Sequence, residues 1–318
     1  DKIIPEKAVA LSLLNISKPI DYFTALDNYR YSVGRKDKVF AKKQQYVQMF
    51  GKDREEELRK LLQGEFALVT LSNDNEKSKR EGLVIASLKS GSLGKGVLEG
   101  MLTKYAQFSK SEWQSYKRVC VVDREKSFDY YYFPVPDLPG LFWGEMFEDL
   151  ETHYVFVEDN YLVFATSVRA VESFIEDYVH GNFLSEAGWY KNLRSKLSDK
   201  YNYAYFARIP DMLAIYKSWA KGDIKDFFNR NTEGLSVFPA LAMQWSNEGE
   251  LLYNTTWLSS SPVQKKVRPH VLWQTHLDGS VSTKPVIVTS HVDGSREIFV
   301  QDDNNTIYLI NDAGRILW

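Results

Sequence analysis

The chain has 318 residues, 44% of them hydrophobic, which is enough to bury a substantial core and excludes a disordered chain. Forty basic residues stand against forty-two acidic ones, and a formal net charge of -2 supplies no field that would draw the protein to nucleic acid or to an anionic membrane. The single cysteine, Cys120, excludes an intrachain disulfide and a cysteine-built metal site, and no run approaches the ~20 apolar residues of a transmembrane segment.

Aromatic residues make up 14% of the chain, with 19 Tyr and 8 Trp, a composition that favours strands over helical bundles. Cys120 lies in the apolar run Arg118-Val119-Cys120-Val121-Val122 and reads as a small hydrophobe, not a nucleophile. The chain opens at Asp1 without Met or a signal peptide, and it is expected to be a piece of a longer protein whose export signal or anchor lay upstream.

In chain order, residues 9–16 (VALSLLNI) form an apolar strand, and Pro19 is placed to start a helix. Residues 35–62 carry a helical apolar pattern broken at Gly51, and their Lys and Glu form a solvated face. Strands are expected at 65–71 and 82–89 around a polar turn at 72–81, then a helix through Val97, Leu98, Met101, Leu102 and Tyr105. Strands at 116–123 and 128–133 lead to the Pro/Gly-rich stretch 134–140 (PVPDLPG), which marks a unit boundary. A second hairpin follows at 152–158 and 161–166. Ser167 then caps a helix with Val168, Val171, Phe174, Ile175 and Tyr178 on one face, and Gly181 ends it. Next come a strand at 203–209, a helix from Pro210, and paired strands at 235–245 and 250–257. The reading is an α+β fold in which an antiparallel sheet with helices is duplicated, as units 1–140 and 141–262.

The pieces LLQGEFALVTL, EGLVIASLK, YVFVEDNYLVFATSVRAVESFIEDY and YAYFARIPDML resemble the domain of unknown function 3352 family over about residues 1–260. These are exported bacterial proteins without an assigned activity. The resemblance therefore implies a periplasmic or cell-surface location and carries over no functional residue. Residues 263–318 read differently. Val271-Leu272-Trp273 recurs as Ile316-Leu317-Trp318, with short strands expected at 285–290, 296–301 and 306–311 between the two copies. A period of this size, with Asp312-Ala313-Gly314 before the closing Leu-Trp, resembles the PQQ-like (quinoprotein-type) propeller repeat. The segment is thus expected to be the first blade of a β-propeller that continues beyond the chain.

The chemical motifs are mostly negative. Gly91-Ser92-Leu93-Gly94-Lys95-Gly96 has two residues where a P-loop has four before its Gly-Lys pair, and Gly where Ser or Thr should follow, so it reads as a strand-to-helix connection. Histidines 153, 180, 270, 276 and 291 form no HExxH, and Asp302-Asp303-Asn304-Asn305 lacks EF-hand spacing and reads as a turn. No G-x-S-x-G occurs. Acid/base carboxylates drawn from distant segments stay open at this level. The one candidate binding surface is the aromatic stretch holding Tyr130, Tyr131, Tyr132, Phe142 and Trp143, which either stacks on a sugar or protein partner or points into the core.

The function expected is therefore a non-enzymatic binding or scaffold module of the cell envelope, with no cofactor, whose partner is a protein or a glycan. The alternatives are an accessory domain of a quinoprotein-like propeller oxidoreductase and a carbohydrate-binding protein.

Overall fold

The structure is a computed structural model that describes residues 2–72, 81–122, 126–260 and 273–318; Val271, Leu272, His270 and most of the polar turn after residue 72 lie outside them. The chain falls into two compact units, Asp1–Pro262 and Val263–Trp318. Together they have an α+β architecture with two antiparallel sheets, of ten and three strands.

In the first unit the described elements run β1 (Ala8–Asn15), α1 (Pro19–Ser32), α2 (Lys36–Phe50), α3 (Arg54–Leu61), β2 (Leu62–Leu71), β3 (Gly82–Leu88) and α4 (Gly91–Ser109). They continue with β4 (Lys117–Val121), β5 (Ser127–Tyr132), α5 (Leu138–Trp143), β6 (Tyr154–Glu158), β7 (Tyr161–Ala165), α6 (Val168–His180) and α7 (Gly188–Arg194). The last elements are β8 (Tyr203–Arg208), α8 (Ile209–Trp219), α9 (Gly222–Leu235), β9 (Ala240–Glu248) and β10 (Leu251–Leu258). The run expected as a strand from residue 235 divides: Leu235 closes α9 and the strand begins at Ala240.

The sheet order is β10-β9-β8-β1-β2-β3-β7-β6-β5-β4, every neighbour antiparallel. Strands that the sequence assigns to its two halves are neighbours in this one sheet. β3 and β7 meet at its centre, Ile85 opposite Val163. Outward from this pair, β2 and β1 are extended by β8, β9 and β10 of the second half, and β6 is extended by β5 and β4 of the first.

Both faces are covered. On one, Leu11, Leu13, Val69, Ile85, Val163 and Phe156 pack against Val171, Phe174 and Ile175 of α6 and Tyr190 of α7. On the other, Phe66, Leu68, Val84, Ala86 and Phe164 pack against α1 to α5. Two-sided burial explains why residues 66–69 of β2 and most of β3 read as continuous apolar runs, the pattern of a strand with no solvent face. α6 is local chemistry made structure: the Ser167 hydroxyl accepts a hydrogen bond from the Ala170 amide at 3.0 Å, and the apolar stripe Val171, Phe174, Ile175 faces the sheet.

A buried arginine fixes the second face. Arg30 of α1 is 1% exposed, and it donates to the Gly140 and Leu141 carbonyls at 2.8 and 2.9 Å and to Glu145 Oε1 at 2.8 Å. Tyr22, on the same helix, donates to the Trp143 carbonyl at 2.8 Å. These carbonyls end α5, where a helix leaves acceptors unpaired and carries negative partial charge, so a cation with several donors is the natural cap.

In the second unit, β11 (Val286–Thr289), β12 (Arg296–Gln301) and β13 (Ile307–Ile310) form an antiparallel sheet. Residues 316–318 run beside β13, with the Leu309 amide donating to the Trp318 carbonyl at 3.0 Å and the Leu317 amide to the Leu309 carbonyl at 2.7 Å. Val300, Tyr308 and Ile310 form its core, with Trp273 and Leu277 against them. Gly314 has φ +78°, and a Cβ there would lie 2.6 Å from the Trp273 ring.

Two substitutions test these constraints. Arg30→Ala is expected to lower unfolding free energy by about 3 kcal/mol, because it removes the buried donors that Glu145 and the Gly140 and Leu141 carbonyls share and leaves the Leu141 carbonyl without its side-chain partner, and Arg30→Lys should recover only part of it; urea denaturation reads both. Gly314→Ala is expected to destabilise the second unit by more than about 1 kcal/mol, seen as a change in near-ultraviolet circular dichroism from Trp273 with the first unit unaffected.

Candidate functional site

The aromatic stretch singled out in the sequence does not form a surface. Tyr130, Tyr131, Phe142 and Trp143 are buried, Trp143 completely, and of the five only Tyr132 meets solvent, at 37% exposure. The reason is a contact distant in sequence. The cap from Arg30 and Tyr22 holds α5 down, which turns the Trp143 ring against Phe66, Phe147 and Phe164 and the Phe142 ring against Tyr46. Tyr131 donates to Glu99 Oε1 at 2.6 Å beneath α4. The Tyr132 ring lies parallel to the His153 ring, 6.1 Å between centroids. This segment is the joint of the fold, and four of its five rings are closed to a ligand without rearrangement.

The glycine-rich 91–96 segment is the first turn of α4. A Cβ at Gly91 would lie 1.7 Å from the Asp159 carbonyl oxygen, and the Gly91 amide donates to Asn160 Oδ1 at 2.8 Å. Its glycine serves close packing of the β6–β7 turn on the helix start. Asp302 likewise organises its own turn, its Oδ1 accepting from the Asn304 and Thr306 amides at 2.9 and 2.8 Å. Among the described residues no group of three or more His, Cys, Asp or Glu is placed to hold a metal ion.

A crevice that sequence reading missed lies at one end of the ten-stranded sheet, on the face that α6 and α7 cover. There the apolar row Leu13, Ala67, Ile85, Val163, Phe156 gives way, one pleat further, to Asn15, Glu65, Ser87, Tyr161 and Glu158 on β1, β2, β3, β7 and β6. This polar row floors the crevice. Two cavities, of about 270 and 590 Å³, adjoin over it and share Lys2, Ile3 and Tyr161 as walls. Tyr201 closes the smaller one; Phe128, Tyr178 and Phe183 line the larger.

The electrostatics of the crevice set its donors and acceptors. Burial, then the neighbouring Asp159 charge, push the Glu158 carboxyl above the usual carboxylate range, partly offset by a hydrogen bond from Tyr178. Tyr178 donates to Asp159 Oδ2 at 2.6 Å, and burial first, then that bond, raise its phenol. Burial also raises the Tyr161 and Tyr201 phenols, so all three tyrosines stay protonated donors at neutral pH. The Ser87 hydroxyl exchanges long hydrogen bonds of 3.3 Å with the Glu65 backbone, and among the described residues that line the two cavities there is no histidine. Glu65 and Glu158 stand on strands three spacings apart, about 14 Å between backbones.

Only rows of neighbours across five strands reveal this floor. In the chain its members are single residues at strand ends, each unremarkable alone. Compared with family models, curated proteins and solved structures, the chain matches none.

The raised Glu158 carboxyl has a definite sign. The folded protein holds that proton at a pH where the unfolded chain has released it, so stability falls as pH rises from the ordinary glutamate range through the folded value. Glu158→Gln is therefore expected to raise Tm at pH 7 by about 1 °C, solvent screening keeping the gain small, and to leave it unchanged below about pH 4. Calorimetry at the two pH values checks this.

Proposed function

We propose that the protein is a non-enzymatic binding module of the bacterial cell envelope, in the periplasm or at the cell surface, whose α+β unit holds a glycan chain in the Tyr161 crevice. In this reading residues 263–318 are the first blade of a propeller. The observation that carries it is the pairing of tyrosine rings with a floor of amide, hydroxyl and carboxylate groups. Sugars present apolar ring faces and hydroxyl edges, and such a site meets both, by stacking and by hydrogen bonds. Support for the location comes from the family resemblance of the first 260 residues.

The crevice is long enough for an extended ligand, since it reaches from Tyr201 beside β1 to Phe128 of β5. No cofactor enters this proposal, and no bond is made or broken in it. Binding would rest on groups already held by the sheet, so little ordering cost accompanies it.

Calorimetric titration with soluble fragments of envelope glycans tests the proposal. Binding is expected for the wild-type chain and is expected to weaken about tenfold or more in Tyr161→Ala, with the circular dichroism spectrum unchanged. Affinity that is the same in Tyr161→Ala, or no binding across a panel of envelope glycans, would overturn it.

A further inference from the structure

The two edges of the ten-stranded sheet are built differently. β4, at one edge, has five residues and begins Lys117-Arg118, the charge and brevity that keep an edge from pairing with another chain. β10, at the other, is eight residues long, reads LLYNTTWL and contains no charge, proline or glycine. It is exposed along its whole length and on both faces, with Leu252 71%, Tyr253 48% and Trp257 41% accessible. An apolar, uncharged and unpaired edge is a template for a further strand.

The hydrogen-bond phase of β10 fixes how a further strand joins. The Ser259 amide donates to the Ala240 carbonyl at 2.9 Å, in line with the β9–β10 register that sets Leu251 opposite Glu248. Odd-numbered residues therefore bond to β9, and the amides and carbonyls of Leu252, Asn254, Thr256 and Leu258 point outward. An antiparallel copy of the same strand satisfies all of them in a register centred on Thr255. Asn254 then pairs with the partner's Thr256, and Leu252 with the partner's Leu258. On the opposite face Tyr253 meets the partner's Trp257, and Thr255 meets its own copy. Leucine faces leucine and aromatic faces aromatic, the combinations that stabilise neighbouring strands. The nearest acidic residue, Glu250, falls opposite the partner's Ser260, so no like charges oppose one another.

We infer that β10 is a dimerisation strand, pairing two copies of this chain about a two-fold axis at Thr255 into one continuous sheet. The arrangement is isologous, and it closes: each copy's free edge is used up by the other, leaving the charged β4 edges outermost.

Sedimentation equilibrium and cysteine cross-linking of the full chain test the inference. Thr255→Cys, in a pair whose Cα atoms lie about 4.5 Å apart, is expected to form a covalent dimer on mild oxidation; Asn254→Cys and the wild type, with only Cys120, are not. Thr256→Pro removes an outward amide while sparing the bonds to β9, and Leu252→Lys sets a charge on the seam. Each is expected to weaken the dimer at least about a hundredfold while retaining the wild-type Tm of the isolated monomer. A wild-type chain that stays monomeric at high micromolar concentration overturns the inference, as does a dimer unaffected by folded Leu252→Lys.

Discussion

A sheet covered on both faces has no solvent side for its central strands, and the rest of this structure follows from that. β3, β7 and residues 66–69 of β2 are apolar at nearly every position, and the helices that cover them are divided between two faces, α1 to α5 on one and α6 and α7 on the other. Two sets of the polar groups that the fold still contains lie where the cover ends. One is the end of the sheet, where Asn15, Glu65, Ser87, Tyr161 and Glu158 line up. The other is the seam between α1 and α5, where Arg30 is buried because the carbonyls of a short helix need its donors.

How legible this was in the sequence depends on the range of the interaction. α6 was readable because its cap, stripe and stop all lie within fifteen consecutive residues. The strand pairs β2/β3 and β6/β7 were readable for the same reason. The fate of Trp143 was not. Its burial depends on Arg30 and Tyr22, more than a hundred positions away, and nothing in PVPDLPGLFW distinguishes an aromatic rim from an aromatic joint. The crevice was further from view, since its floor is assembled from five strands and none of its residues belongs to a motif. The boundary between α9 and β9 was misplaced because Leu235 continues the apolar pattern of Phe238 and Leu241 across a change of secondary structure.

The crevice and the β10 edge draw on separate parts of the unit. One is a concave site with polar groups held in place by the sheet; the other is a flat edge whose free groups repeat with the strand period. Ligand recognition at the first does not require pairing at the second, and in the proposed reading the two surfaces together would make a module that holds a chain-like ligand while presenting more than one copy of the site. Avidity for a repetitive ligand follows from such an arrangement without any added contact.

The exchange of strands between the two halves has a consequence for the order of assembly. β1 precedes β8 by a long stretch of chain, yet Leu14 pairs with Tyr203 and the sheet cannot be extended on that side until β8 has been made. β4 likewise waits for β5 and β6 before it is joined to the centre. Neither half closes its own sheet, so the unit acquires its native topology late and through contacts distant in sequence, the circumstance in which folding is slow and a nascent strand edge stays open longest. Truncation between the halves would leave two sheets with unpaired edges in place of two smaller domains.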